Sequence, residues 1–286
     1  MKKEGVNFDR EEFKKEELEK TKTFSKFGLS NMEAMRLLRD FGLLGKKEAV
    51  GKLQGKERSY KNIAEHCLVV GMVVDVILQE FEERGLLTPE EREKGTKAAI
   101  IHDLPKRQHI EVQNGIEAGS PKESLTPDKI AALDAELLAQ HNISQEDVEL
   151  FSLSEFAGSG KFEFPEDGKI NVSGSPEDII RFAILFGDHV VSDTSIMDFN
   201  ERIDKVIERG RYNDEFVWWY RKLYGEEKLK GIKDPKEASE KIYGKVRKFL
   251  QQTEDQFKSL IGVDESESLL DYIKEEIKKR YESNVD

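Results

Sequence analysis

Residues 60–84 read YKNIAEHCLVVGMVVDVILQEFEER, and residues 88–104 read TPEEREKGTKAAIIHDL. The first stretch places Ile63, Cys67, Val70, Val73, Val74 and Ile77 at the three- and four-residue spacing that turns one helical face to a core. Ser59 offers a cap at its start, and Gly85 suits its C-terminus. In the second stretch Thr88 precedes Pro89 and two glutamates, the chemistry of a helix N-terminus. That helix becomes wholly apolar from Ala98 to Ile101 and then meets His102 and Asp103, with Pro105 setting a boundary. Two such helices point to an all-α fold, with an imidazole and a carboxylate at the bottom of a cavity.

Upstream, residues 1–27 read as a charged arm, and Asn31 to Leu44 as a short amphipathic helix offering Met32, Met35, Leu37, Leu38 and Phe41 for burial. The stretch GKKEAVGKLQGKER, residues 45–58, separates that helix from the core. Downstream, residues 111–125 read as a loop and Thr126-Pro127-Asp128 as the start of a helix to about Gln140. Ser144 is expected to cap a further helix. The β signal is KFEF, PEDG and KINV at 161–172, two short runs around a turn that predict a hairpin. Ser175-Pro176 opens the apolar helix IIRFAILFGDHVVSD, which reaches Asp193, and a long helix runs from Pro235 to Leu260. The expected fold is an all-α helical bundle with a small β-hairpin insertion and helical N- and C-terminal extensions. The segments are 1–55, 56–195 and 196–286, the last a charged helical extension packed on the core.

The 286 residues carry 46 Lys and Arg against 58 Asp and Glu, a net charge of -12. That balance counts against binding polymeric nucleic acid, which requires many cations to neutralise phosphates. A small anionic substrate stays compatible, because a bound divalent cation can dominate the local field. Cys67 is the single cysteine, so neither an internal disulfide nor a Cys-based zinc site is expected, and it reads as a small buried hydrophobe. No stretch reads as a signal peptide or a membrane span, so a cytoplasmic protein with no membrane partner is expected.

Five histidines, His66, His102, His109, His141 and His189, are the residues to weigh. His66 shares its helical face with Ile63, Val70, Val73 and Val74, so its ring points into the core and needs a hydrogen-bond partner or a metal. Asp103 and Asp188 both follow apolar runs, where an uncompensated carboxylate is costly and a cation partner is expected. Asp193 competes with Asp188, although five residues along a helix turn it about 140° away. Two imidazoles and two carboxylates suit Mn, Fe, Co, Ni or Zn, with Mg admissible. Such an ion lowers the pKa of bound water toward about 7 and yields a hydroxide nucleophile.

The order H…HD…D on separate helices resembles the HD-domain superfamily of metal-dependent phosphohydrolases. AEHCLVVGMVV is similar to that family's first-His helix, KAAIIHDLPK to its His-Asp helix, and FAILFGDHVVSD to the helix bearing the final Asp. The resemblance spans about residues 56–195 and implies that His66, His102, Asp103 and Asp188 bind the metal. Many members carry His-Asp-x-Gly-Lys, and HDLPK here departs from it at Pro105. Lys106 is thereby a candidate to hold a substrate phosphate. Arg181 is a candidate phosphate clamp. His109 and Glu111 are candidates for general acid or supporting groups, and His141 for a ligand to a second metal. His189 reads as structural, and the Phe216, Trp218, Trp219 and Tyr220 cluster as core packing.

The function these features imply is hydrolysis of a small phosphate ester, a nucleotide or related metabolite, with monoesters and diesters both open. Asp103, Lys106, His109 and Glu111 are the catalytic candidates, with Lys106 and Arg181 for substrate. The alternatives are a catalytically silent HD-fold binding or regulatory protein and an HD-like di-metal oxygenase, and a homo-oligomer is compatible with each.

Overall fold

The computed structural model describes residues 23–44 (except 25 and 29), 51–53, 56–58, 60–114, 127–140, 170–208 and 235–282 (except 265). The fold is all-α with small antiparallel β-hairpins. Its centre is α2 (Lys61–Glu83), following α1 (Met32–Asp40) and the pair β1 (Gly51–Leu53) and β2 (Lys56–Arg58). That pair falls within the stretch read from the sequence as a plain separator. The expected hairpin at 161–172 lies outside the described residues up to 169, and 170–172 are not in strand. Instead Gln256 holds this segment, accepting from the Val172 N–H at 3.1 Å and donating to the Ile170 carbonyl at 2.9 Å.

All six apolar positions expected to be buried on α2 are buried, together with Leu68, Val69, Met72, Val76 and Leu78. A helix apolar on every side belongs inside. Residues 62–83 are in fact long and apolar enough to cross a membrane, which corrects the expectation that no segment approaches that property; 78% of the apolar window is buried inside the fold. Tyr60, not Ser59, occupies the cap position, and it makes no side-chain cap bond. At the other end Gly85 (φ 71) turns the chain, and the Leu86 N–H reaches back to the Phe81 carbonyl at 2.9 Å, the expected left-handed glycine stop. Leu37 and Leu38 on α1 and Phe41 just after it are buried as expected, whereas Met32 is exposed.

Helix α3 (Pro89–Ile100) begins with a capping box in which Thr88 accepts from the Glu91 N–H and Glu91 accepts from the Thr88 N–H. It ends before Pro105, as the proline requires. Residues expected to form a loop from 111 onward belong, up to Asn114, to α4 (Lys106–Asn114). This helix is followed by α5 (Pro127–Gln140). Helix α6 (Pro176–Val190) is capped by Ser175, whose oxygen accepts from the Asp178 N–H. It stops three residues short of the expected Asp193. Val191–Ser192 (β3) and Ser195–Ile196 (β4) then form a miniature hairpin that reverses the chain into α7 (Phe199–Glu208).

Helices α8 (Pro235–Ile261) and α9 (Leu269–Ile277) complete the described fold, and Lys278–Glu282 continue as a π-helical turn. One core runs from Phe27 to Ile277 and draws on all three segments read from the sequence. The C-terminal turn is fastened to α2 by polar groups. Asp75, buried, takes two hydrogen bonds from the Arg92 guanidinium at 3.0 and 3.1 Å, one from Thr96 and one from the Tyr281 hydroxyl at 2.6 Å. Glu80 similarly accepts from Arg84 and Tyr272.

Candidate metal centre

Three helices meet where His66, His102 and Asp188 converge. Glycines make the approach close. A Cβ on Gly71 would meet Ile100 at 2.6 Å, and one on Gly187 would meet Val74 at 3.0 Å. Helix α2 contributes His66, the turn after α3 contributes His102, and the last turn of α6 contributes Asp188. Among the described residues this trio alone brings three candidate ligand atoms within 4.8 Å of one another.

His102 is the floor of the site, with only 4% of its side chain exposed. Its Nδ1–H donates to the Ala99 carbonyl at 2.8 Å, which leaves Nε2 as the nitrogen that faces Asp188 and Asp103. That buried Nε2 has no hydrogen-bond partner. Asp188 Oδ1 lies 3.6 Å from it and Asp103 Oδ2 4.0 Å. The His66 ring stands edge-on to it at 5.3 Å between centroids, and His66 Nε2–H donates to Asp188 Oδ1 at 3.0 Å. A buried imidazole nitrogen with no partner is uncommon, and either a proton drawn toward Asp188 or a cation would relieve it. The donor set of imidazole and carboxylate is also the right chemistry for a divalent ion.

Asp103, expected as a fourth ligand, stands just outside the trio. Lys106, the first residue of α4, approaches its Oδ1 at 3.5 Å and is 46% exposed, at the rim of the site. Burial drives the Asp103 carboxyl upward, but the Lys106 ammonium and the His102 ring outweigh it and hold the group below its ordinary value. Asp188 shows the stronger form of the same contest. Burial opposes its charge, and the Arg202 guanidinium with the two imidazoles wins, so the carboxyl lies well below the usual range. His102 goes the other way. Burial disfavours its cation, yet the Cys67 sulfur and the Asp188 carboxylate beside it raise it well above an ordinary imidazole.

The β3–β4 turn separates Asp193 from the helix that carries Asp188. Asp193 sits exposed at its tip with φ 54, off the helix altogether. His189 donates Nδ1–H to the Leu185 carbonyl at 2.9 Å, in the structural place expected of it. Burial pushes its basicity down. His109 is one turn into α4 and not on a surface loop. Its Nε2 meets the buried Asp134 of α5 at 2.5 Å. Glu111 accepts from Arg107 at 2.9 Å on the same helix. Arg181 pairs with Glu177 at 3.7 Å, two turns before Asp188. His141, the helix expected after Ser144 and the aromatic cluster at 216–220 lie outside the described residues.

Sequence reading missed Arg202. It lies in the first turns of α7, and both terminal nitrogens are 3.4 Å from Asp188 Oδ1. The chain there reads FNERIDKVIE, where charges alternate with apolar residues as on any solvated face. Only the reversal at Asp193 shows that this arginine returns to Asp188. Compared with protein-family models, with curated proteins and with solved structures, the chain matches none of them.

Proposed function

We propose that the protein is an HD-type metal-dependent phosphohydrolase acting on a nucleotide or a related small phosphate ester. The observation that carries this reading is the His102 ring, fixed through Nδ1 by the Ala99 carbonyl while its buried Nε2 lacks a hydrogen bond and faces Asp188 beside His66. His66, His102 and Asp188 would hold the ion, with Asp103 adjacent. A divalent cation there supplies Lewis acidity and makes water a competent nucleophile near neutral pH. Lys106 at the rim places a point charge where a phosphate oxygen can be held, and Asp103 orients that ammonium. Phosphoryl transfer is catalysed chiefly by positioning and charge neutralisation, which this inventory supplies.

A second reading has its own support. Asp103 and Asp188 are each paired with a cation, Lys106 and Arg202, so neither carboxylate requires an ion. That is what a silent HD-fold binding protein would keep. Elemental analysis of the purified protein, followed by a panel of nucleoside monophosphates, triphosphates and cyclic or linear diesters, separates the two. One equivalent of transition metal with turnover of a panel member is expected. Full metal with no turnover on any member favours the binder, and no metal after incubation with Mn, Fe, Co, Ni or Zn removes the phosphohydrolase reading.

A further inference from the structure

Arg202 is placed to do more than balance a charge. Its side chain is 21% exposed and lies against Asp188. Both terminal nitrogens approach one oxygen, Asp188 Oδ1, at 3.4 Å each, longer than a good charge-assisted bond. The same oxygen already receives His66 Nε2 at 3.0 Å and has His102 Nε2 at 3.6 Å. A guanidinium offers five donors in a planar fork matched to a two-oxygen acceptor, and this pairing uses it poorly. An ion held by the trio would compete for Asp188 Oδ1 and repel the neighbouring guanidinium.

We propose that Arg202 holds the substrate phosphate alongside Lys106, the role the sequence suggested for Arg181, and that it makes the site selective for a dianionic phosphate monoester. This rests on the metal-dependent reading above. The charges support the substrate class. Asp103 and Asp188 balance Lys106 and Arg202, so a divalent ion leaves the site with an excess near two positive charges. A phosphate monoester at neutral pH carries about -1.5 to -2 and cancels that excess, whereas a diester carries half as much. Lys106 comes from α4 and Arg202 from α7, and they approach different carboxylates, Asp103 and Asp188.

The test is calorimetric titration of Mn-loaded protein with inorganic phosphate and, separately, dimethyl phosphate, alongside Mn content and the thermal midpoint. Wild type should bind phosphate at least tenfold more tightly than the diester. Arg202→Gln should weaken phosphate binding by about 10- to 100-fold while Mn content holds, and Arg202→Lys should recover part of the loss. Unchanged phosphate affinity in Arg202→Gln overturns the proposal. So does a parallel loss of Mn in a variant whose thermal midpoint is preserved, because Arg202 would then only position Asp188. If Arg202→Gln fails to fold, Arg202→Lys decides alone: phosphate affinity equal to wild type overturns the assignment, and a selective loss supports it. Wild type that binds Mn but not phosphate sinks the phosphate site and leaves the metal reading standing, while failure to bind Mn sinks both.

Discussion

At the scale of single residues, the site separates groups that would hold an ion from groups that would meet substrate, and substitutions should follow that division. Asp188→Asn keeps the shape but gives up the charge that His66, His102 and Arg202 all address. It should weaken metal binding by more than about 100-fold, beyond the effect of losing a merely supporting partner. Metal content after dialysis checks this, and a variant that stays loaded would remove Asp188 from the ligand set. Lys106→Ala should leave the metal in place and raise KM for a phosphate ester about tenfold, as read from steady-state kinetics; unchanged kinetics would make it an ordinary surface lysine. His102 and Asp103 were legible because an apolar run ending on two polar groups is costly unless they have work to do. Arg202 was not, because its link to Asp188 passes through a two-residue turn whose geometry leaves no periodic signal.

Among the elements, most helices were readable, but not every boundary: the cap expected at Ser59 falls at Tyr60, and part of α4 was read as a loop. The capping box at Thr88, the serine cap at Ser175 and the glycine stop at Gly85 each rest on local chemistry that a sequence displays directly. Helix α4 contains KRQHIEVQN, with two apolar residues, and is held by contacts to other elements: His109 to Asp134, and Arg107 stacked over Tyr60 at 5.6 Å. Such support is visible only in three dimensions. Helix spacing is set by small residues. A Cβ on Gly95 would meet Leu78 at 2.5 Å and Ile180 at 3.0 Å, so α2 and α6 both press on α3 there. Gly95→Ala should therefore destabilise the protein by about 1–3 kcal/mol through overpacking, against a helix-propensity gain of about 1 kcal/mol. Urea unfolding measures the balance, and a more stable variant would mean that the helices are not held at this distance.

For the whole molecule, the trio makes stability depend on pH in a way that would change with an ion bound. His102 is raised above its ordinary 6.5, so its contribution is complete below pH 6.5 and is lost as pH climbs through the folded value. Asp188 is lowered below its ordinary 3.8, so its contribution is complete above pH 3.8 and disappears as pH falls through the lowered value. Chelator-treated protein should accordingly lose unfolding free energy from about pH 6.5 upward. Loaded protein should not, since an ion takes the place of the His102 proton and binds better as protons leave. Denaturant midpoints measured across this range, with and without metal, check it; a flat profile for the chelated form would count against the charged His102.

The bridge from Asp75 to Tyr281 also bears on the order in which the chain assembles. Arg92 stands 17 residues from Asp75, and Tyr281 stands 206 away. Closing the longer loop costs about 2 kcal/mol more chain entropy than closing the shorter one. The guanidinium can thus neutralise the aspartate as soon as α2 and α3 pair, and the tyrosine arrives over a charge already half accommodated. On chain entropy alone, the central helix pair can form first and the C-terminal turn close over it afterwards.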